Sequence, residues 1–154
     1  MSSLVEVTGE NFSIFQLDIL KIEGNSFPSP WDLNSFLSEI DRSISHFWAL
    51  LSDEVLEGYI CFWIFANETH LMNIAVHPKW REKGLGERLL CKMIEVGVSE
   101  GAKTAWLEVR PSNLVARSLY EKRGFKEVGF RPRYYRETNE DAIIMSLSLS
   151  AHSM

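Results

Sequence analysis

The chain has 154 residues, 45% of them hydrophobic and 24% charged, and 21 acidic against 16 basic side chains give a formal net charge of −5. That length suits one domain with a sizeable core, and the acidic balance argues against a nucleic-acid partner while suiting a basic protein one. The longest apolar run, Leu56 to Ala66, carries Glu57 and Gly58 and falls short of the roughly 18 residues of a membrane span, so no membrane association is expected.

Met1 to Glu10 has early acids and no basic segment, unlike a signal peptide, and Leu4 to Thr8 alternates as a first strand. Gly9 to Asn11 break it. Phe12, Phe15, Leu17, Ile19, Leu20 and Ile22 then predict a helix ending near Gly24-Asn25. Phe27-Pro28-Ser29-Pro30-Trp31 must be extended, because its prolines fix φ and restrict the residues before them. Asp32 is a candidate N-cap for a second helix bearing Leu33, Phe36, Leu37 and Ile40. Phe47 to Leu51 and Val55 to Ala66 read as strands about a turn at Ser52 to Glu54, and Asn67-Glu68 turns the chain into a third strand ending at Val76. The short spacings imply an antiparallel meander rather than alternating βαβ units.

Pro78 stops that strand, and Leu89, Leu90, Met93, Ile94 and Val96 recur at helical spacing until Gly101. Thr104 to Arg110 alternates, with Ala105, Leu107 and Val109 on one face and Trp106, Glu108 and Arg110 on the other. Ser112 or Asn113 caps a helix carrying Leu114, Ala116, Leu119 and Tyr120, which Arg123-Gly124-Phe125 ends. Phe125 to Phe130 reads as a short strand, Arg131 to Asn139 as a polar loop, and Asp141 to Leu149 as a closing strand. Residues 1–150 are therefore expected to be one α+β domain, with 151–154 a frayed tail. Cys61 and Cys91 sit in apolar periodic segments as buried thiols suited to a reducing cytoplasm, and no metal-ligand spacing joins them to the four histidines.

The segment around which the chain is organised is R-x-x-G-x-G, made of Arg81, Gly84 and Gly86 between a strand end and a helix start. Glycines allow close approach to a ligand, and uncapped N–H groups with the helix dipole attract anions. Leu89 stands where a dinucleotide fingerprint needs its third glycine, and no Gly-Lys-Ser/Thr follows for a Walker loop. A shorter pyrophosphate cradle remains, with Arg81, Lys83 and Arg88 as possible supplements. Two glycines alone are equally compatible with a plain turn.

Taken together, Asn73-Ile-Ala-Val76, this turn, Leu107-Glu-Val-Arg110, Ser112-Asn113, Leu119-Tyr-Glu121, Gly124-Phe125, Arg133-Tyr-Tyr135 and Glu140 to Met145 resemble the GNAT superfamily of acyl-CoA-dependent N-acetyltransferases. Within it they are similar to the bacterial ribosomal-protein-alanine acetyltransferases, the RimI group. The resemblance implies an α/β/α sandwich around a mixed, mostly antiparallel six- to seven-stranded sheet whose central parallel strands splay apart. It implies acetyl-CoA as co-substrate, no metal, and a cytoplasmic monomer acting on the N-terminal alanine of a basic ribosomal protein. Cofactor contacts would come from Ile74, Ala75 and Val76, from the turn Arg81, Glu82, Lys83, Gly84, Leu85, Gly86 and Glu87, and from Asn113. Glu108 would be the proton acceptor and Tyr120 the proton donor. Glu82 departs from the basic or glutamine-like residue usual in such turns, which bears on its side chain and not on the backbone cradle.

The chemistry is consistent with these residue types. An α-amine with a pKa of about 7.7–8.0 is roughly a tenth neutral at pH 7, whereas a lysine near 10.4 is neutral at about one part in 2,500. One carboxylate, acting through water, is therefore base enough for an α-amine. A tyrosine near 10 donating to a thiol near 8.5 faces about 1.5 units, or about 2 kcal/mol. Direct attack in a ternary complex requires neither cysteine. Phe27, Trp31, Tyr134 and Tyr135 are candidate walls of the acceptor groove, with core packing the alternative for the first two. The competing functions are acetylation of a small amine and a non-catalytic acyl-CoA-binding module.

Overall fold

The computed structural model describes residues 2–135 and 139–149. The elements follow in the order β1 (Ser2–Glu6), α1 (Phe12–Ser26), α2 (Leu33–Asp41), β2 (Ser45–Ser52), β3 (Val55–Phe65), β4 (Glu68–Val76), α3 (Leu85–Ser99), β5 (Thr104–Val109), α4 (Leu114–Lys122), β6 (Lys126–Tyr135) and β7 (Glu140–Ser148). Among the described residues no helix is long and apolar enough to cross a membrane. The tail expected at 151–154 lies outside the described residues.

One sheet of seven strands runs in the order β1-β2-β3-β4-β5-β7-β6. The expected meander is present: β1 to β4 pair antiparallel in sequence. Two of its hairpins turn on adjacent residues with positive φ, Asp53-Glu54 at 49° and 66° and Ala66-Asn67 at 51° and 64°. That double left-handed geometry matches the right-handed twist of paired strands. β4 and β5 are parallel neighbours, and β7 returns antiparallel between β5 and β6.

The helices cover both faces of the sheet and divide the core in two. On one side, Leu89, Leu90 and Met93 of α3 and Tyr120 of α4 pack with Leu107, Val109 and Met145. On the other, Ile19 and Ile22 of α1 and Phe36 of α2 pack with Phe47, Tyr59 and Cys61. Phe36 is the hub of this second core, its ring 5.2 Å from that of Trp31 and 5.9 Å from those of Phe47 and Tyr59. Asp32 caps α2 as expected, its Oδ1 accepting from the Ser35 backbone N–H at 2.8 Å. The hydrogen bonds from Ser35 hold the Asp32 carboxyl below the usual carboxylate range. Both cysteines are free thiols; Cys61 is buried and Cys91 half-buried.

Two expectations need correction. The buried residues of α1 are Phe12, Ile19, Ile22 and also Glu23, with Phe15 and Leu20 packed at the edge of that core, whereas Leu17 is exposed. Of the expected polar loop 131–139, residues 131–135 are strand, because β6 continues to Tyr135 against β7, while 136–138 lie outside the described residues. Its register shifts between Arg131 and Tyr135, where Arg133 has φ 50° and Pro132 has no strand partner. A proline in an unpaired bulge of an edge strand breaks no ladder bond, so pairing overrides the polar composition.

Candidate active site

The site begins where two strands part. β4 and β5 pair at Glu68 with Thr104, Thr69 with Ala105 and His70 with Trp106, and the ladder ends there. Immediately beyond, the β3–β4 register shifts so that Cys61 faces Asn73 and Phe62 faces Leu71, leaving Met72 as the extra residue of a bulge. A bulge bends its strand, and from Leu71 onward the β5-side edge of β4 carries backbone groups with no strand opposite. A cavity of about 490 Å³ opens in this gap, lined from β4 by Leu71 to Ile74 and from β5 by Trp106 to Val109. Because the opening interrupts the sheet, side chains from both of its faces can reach one space.

Glu108 comes from the α1/α2 face, alternating with Leu107 and Val109 of the opposite core. Its Oε1 lies 3.5 Å from Nη2 of Arg131. Its Oε2 is buried and has no hydrogen-bond partner among the described residues. A buried carboxylate oxygen without a donor is costly, and it marks a place where a ligand or water is to be bound. Tyr120 enters from α4 on the other face, only 4% exposed, its ring edge-on to Phe125 at 6.1 Å. Burial first, and then the neighbouring Tyr135, push its phenol above the ordinary tyrosine value. Asn113 lines the same cavity and caps α4, its Oδ1 accepting from the Ala116 N–H at 3.2 Å. The amide nitrogen of Asn113 is not used by that cap.

The turn from Arg81 to Glu87 lies past the end of β4 and is not part of the cavity wall. Gly84, the N-cap of α3, has φ 77°, and a Cβ added there would meet nothing within 4 Å. Glu82 shares the left-handed geometry at φ 63°. The first helical bond runs from Arg88 N–H to Gly84 O, so the N–H groups of Leu85, Gly86 and Glu87 have no intrahelical acceptor. Gly86 serves packing instead: a Cβ there would sit 3.3 Å from Cδ2 of Leu119. Two of the three basic side chains expected to assist are engaged elsewhere. Arg81 donates to Val76 O at 3.1 Å and to Ser26 Oγ at 3.2 Å, and Arg88 donates to Ser2 O at 3.1 Å. Glu87 pairs with Lys122 of α4 at 3.1 Å, while Lys83 is exposed. Ala75 is buried against the α1/α2 core and Val76 packs on the other, so only their backbone groups remain for a ligand. Gly84→Ala forces a Cβ into left-handed backbone without any clash, and is expected to cost about 1 kcal/mol in urea unfolding with an unchanged m-value.

Phe27, Trp31, Tyr134 and Tyr135 all line the cavity. Trp31 and Phe27 also pack on the second core, so the two alternatives hold together. Tyr134 and Tyr135 stand edge to face at 5.1 Å, with the Arg131 and Arg110 guanidinium groups over their respective rings at 5.4 and 4.2 Å. The sequence reading missed Glu23, which lines the cavity while 1% exposed. Its place one turn after Ile19 and next to Ile22 was the available signal, a carboxylate on the apolar stripe of its helix. Among the described residues no group of three or more His, Cys, Asp or Glu side chains is placed to hold a metal ion.

Residues 17–125 match the model of the acetyltransferase (GNAT) family. The [ribosomal protein bS18]-alanine N-acetyltransferase of Escherichia coli strain K12 is 37% identical over 131 residues, covering 84% of this chain and 88% of that protein. The crystal structure of the ribosomal-protein-S18-alanine N-acetyltransferase from Escherichia coli superposes with a TM-score of 0.86 at 31% identity, over 97% of this chain and 94% of that one. A PaiA N-acetyltransferase from Thermoplasma acidophilum, solved in complex with coenzyme A, shares the fold at a TM-score of 0.76 and 20% identity, over 96% and 99% of the two chains. The split between β4 and β5, the glycine-capped start of α3 and these likenesses lead to one conclusion: the chain belongs to the GNAT family of acetyltransferases.

Proposed function

We propose that this chain is a single-domain, monomeric cytoplasmic enzyme that transfers acetyl from acetyl-CoA to the α-amine of an N-terminal alanine on a ribosomal protein. The observation that carries the reading is the meeting of the unpartnered Glu108 oxygen and the Tyr120 hydroxyl-bearing ring in one cavity between β4 and β5. The relatives named as ribosomal-protein-alanine acetyltransferases support the substrate class.

The residues fit a CoA thioester. The uncapped N–H groups of Leu85, Gly86 and Glu87 suit a pyrophosphate, and the helix dipole adds to their pull. The unpaired edge of β4 from Leu71 to Val76, apart from the Val76 carbonyl that accepts from Arg81, offers backbone donors and acceptors to an amide-bearing arm, as a missing strand would use them. The unused amide nitrogen of Asn113 can donate at the cavity end. Bound acetyl-CoA would supply the activated acetyl group. Phe27, Trp31, Tyr134 and Tyr135 enclose the acceptor and exclude water. Glu108 takes the proton released by the attacking amine, on Oε2, directly or through one water. The Tyr120 hydroxyl donates toward the position of the departing sulfur. Holding both reactants in one cavity contributes several kcal/mol by proximity, on the order of the lower range for oriented reactions.

Incubation with acetyl-CoA and a pentapeptide starting with alanine and containing one lysine is expected to acetylate the α-amine, read by fragment-ion mass spectrometry. Labelling confined to the lysine side chain, or transfer only to small amines in competition, would overturn the proposal.

A further inference from the structure

We propose that Glu23 is the carboxylate that recognises the acceptor's protonated α-amine as it enters the cavity, leaving deprotonation to Glu108. The inference rests on the reading of the site as an amine acetyltransferase centre. Glu23 lies in the last turns of α1 and faces the cavity from the wall opposite α4, among Phe27, Trp31 and Asn73. Its Oε1 accepts from Tyr59 Oη at 2.6 Å and Asn73 Nδ2 at 2.9 Å, and its Oε2 accepts from the Trp31 backbone N–H at 3.0 Å. A carboxylate has about four acceptor positions, so these donors fix both oxygens and leave one position on Oε2.

What the cage lacks is a cation. All three partners are neutral donors, and among the described residues no Lys, Arg or His side chain pairs with Glu23. Buried carboxylates are ordinarily paired with a positive group. An acceptor amine, charged at neutral pH before it reacts, would bring that group into the cavity. The division of labour follows from the contacts. Glu23 is held by three donors and suits recognition, whereas Glu108 keeps an oxygen without a donor and suits proton transfer. The same cage ties Trp31 to β3 and to Asn73 beside the β4 bulge, so the carboxylate sits where the acceptor wall meets the opening.

The test is a binding comparison in the slow variant Glu108→Gln loaded with CoA, by calorimetry at about pH 6.5, where the α-amine is charged. The probes are an alanine-initiated pentapeptide and the same peptide with a propionyl group in place of alanine, which lacks only the amine. The amine-bearing peptide is expected to bind about tenfold to a hundredfold tighter. Adding Glu23→Gln is expected to bring the ratio to about one, while adding Tyr59→Phe, which spares the carboxylate, keeps it. A ratio unchanged by Glu23→Gln, or lost equally in Tyr59→Phe, would overturn the assignment and leave Glu23 a brace. If Glu23→Gln loses its fold by circular dichroism, Glu23→Asp withdraws the charge by one methylene and must lower the ratio; an unchanged ratio refutes the role. Wild-type transfer to the alanine peptide is measured alongside. Its absence defeats the acetyltransferase reading, whereas transfer with an unaltered ratio defeats only the Glu23 assignment.

Discussion

Glu108→Gln is expected to lower kcat by about a hundredfold to ten-thousandfold, the usual share of a positioned general base. The substitution keeps the shape of the side chain and removes its ability to take a proton. The affinity for CoA is expected to stay within about threefold, because the cradle proposed for the pyrophosphate at Leu85 to Glu87 and the β4 edge do not involve this residue. The ion pair with Arg131 is lost, but Arg131 is more than half exposed and such pairs contribute little to stability. The melting temperature should therefore move by no more than a few degrees. Single-turnover transfer to the alanine peptide, with CoA binding by calorimetry, separates the outcomes. Wild-type turnover would remove Glu108 from the reaction. No turnover in the wild type, with CoA affinity retained, would favour a non-catalytic acyl-CoA module.

What the sequence could and could not reveal follows from the range of the forces involved. Caps and turns are local, so Asp32, the cap at Ser112 or Asn113, and the turn at Gly84 were readable from a few neighbours. Periodicity located α3 and the two faces of β5, because burial follows the helix and strand periods. The fate of long side chains was not readable. Arg81 looked like an anion ligand beside its glycines, yet its guanidinium reaches Ser26, 55 positions away in sequence. The stretch Arg131 to Tyr135 looked like part of a loop by composition, yet it continues β6 because β7 pairs with both of its ends. The parting of β4 from β5 came only with the family resemblance, since the Met72 bulge leaves no mark on hydrophobic alternation that a single sequence would disclose. Glu23 is the plainest miss: burial of that one glutamate depends on Tyr59, Asn73 and Trp31 converging from other elements. Charge was also only partly informative. The net charge of −5 favours attraction of a basic protein at long range, while the guanidinium groups of Arg110 and Arg131 stand over the tyrosines lining the cavity. Inside, the cavity itself is lined by the carboxylates of Glu23 and Glu108.

Tyr120→Phe is expected to lower kcat by about a hundredfold to a thousandfold, the cost of removing one donor aimed at developing charge. The effect should be uniform from about pH 6 to 9.5. Burial and Tyr135 raise the phenol above its ordinary value, so in the wild type the proton stays on the oxygen throughout that range. The raised value enlarges the uphill gap to a thiol beyond the roughly 2 kcal/mol of an unperturbed tyrosine. Complete proton transfer from this phenol therefore becomes less favourable, whereas a hydrogen bond donated to the departing sulfur does not bear that cost. The ring remains against Phe125 in the variant, so its melting temperature should be close to that of the wild type. A loss confined to alkaline pH, or a wild-type profile that falls with an apparent pKa below the ordinary tyrosine value and flattens in Tyr120→Phe, would contradict this account. Such a profile would mean that the phenol ionises during turnover, which a side chain so deeply buried beside a second tyrosine is built to resist.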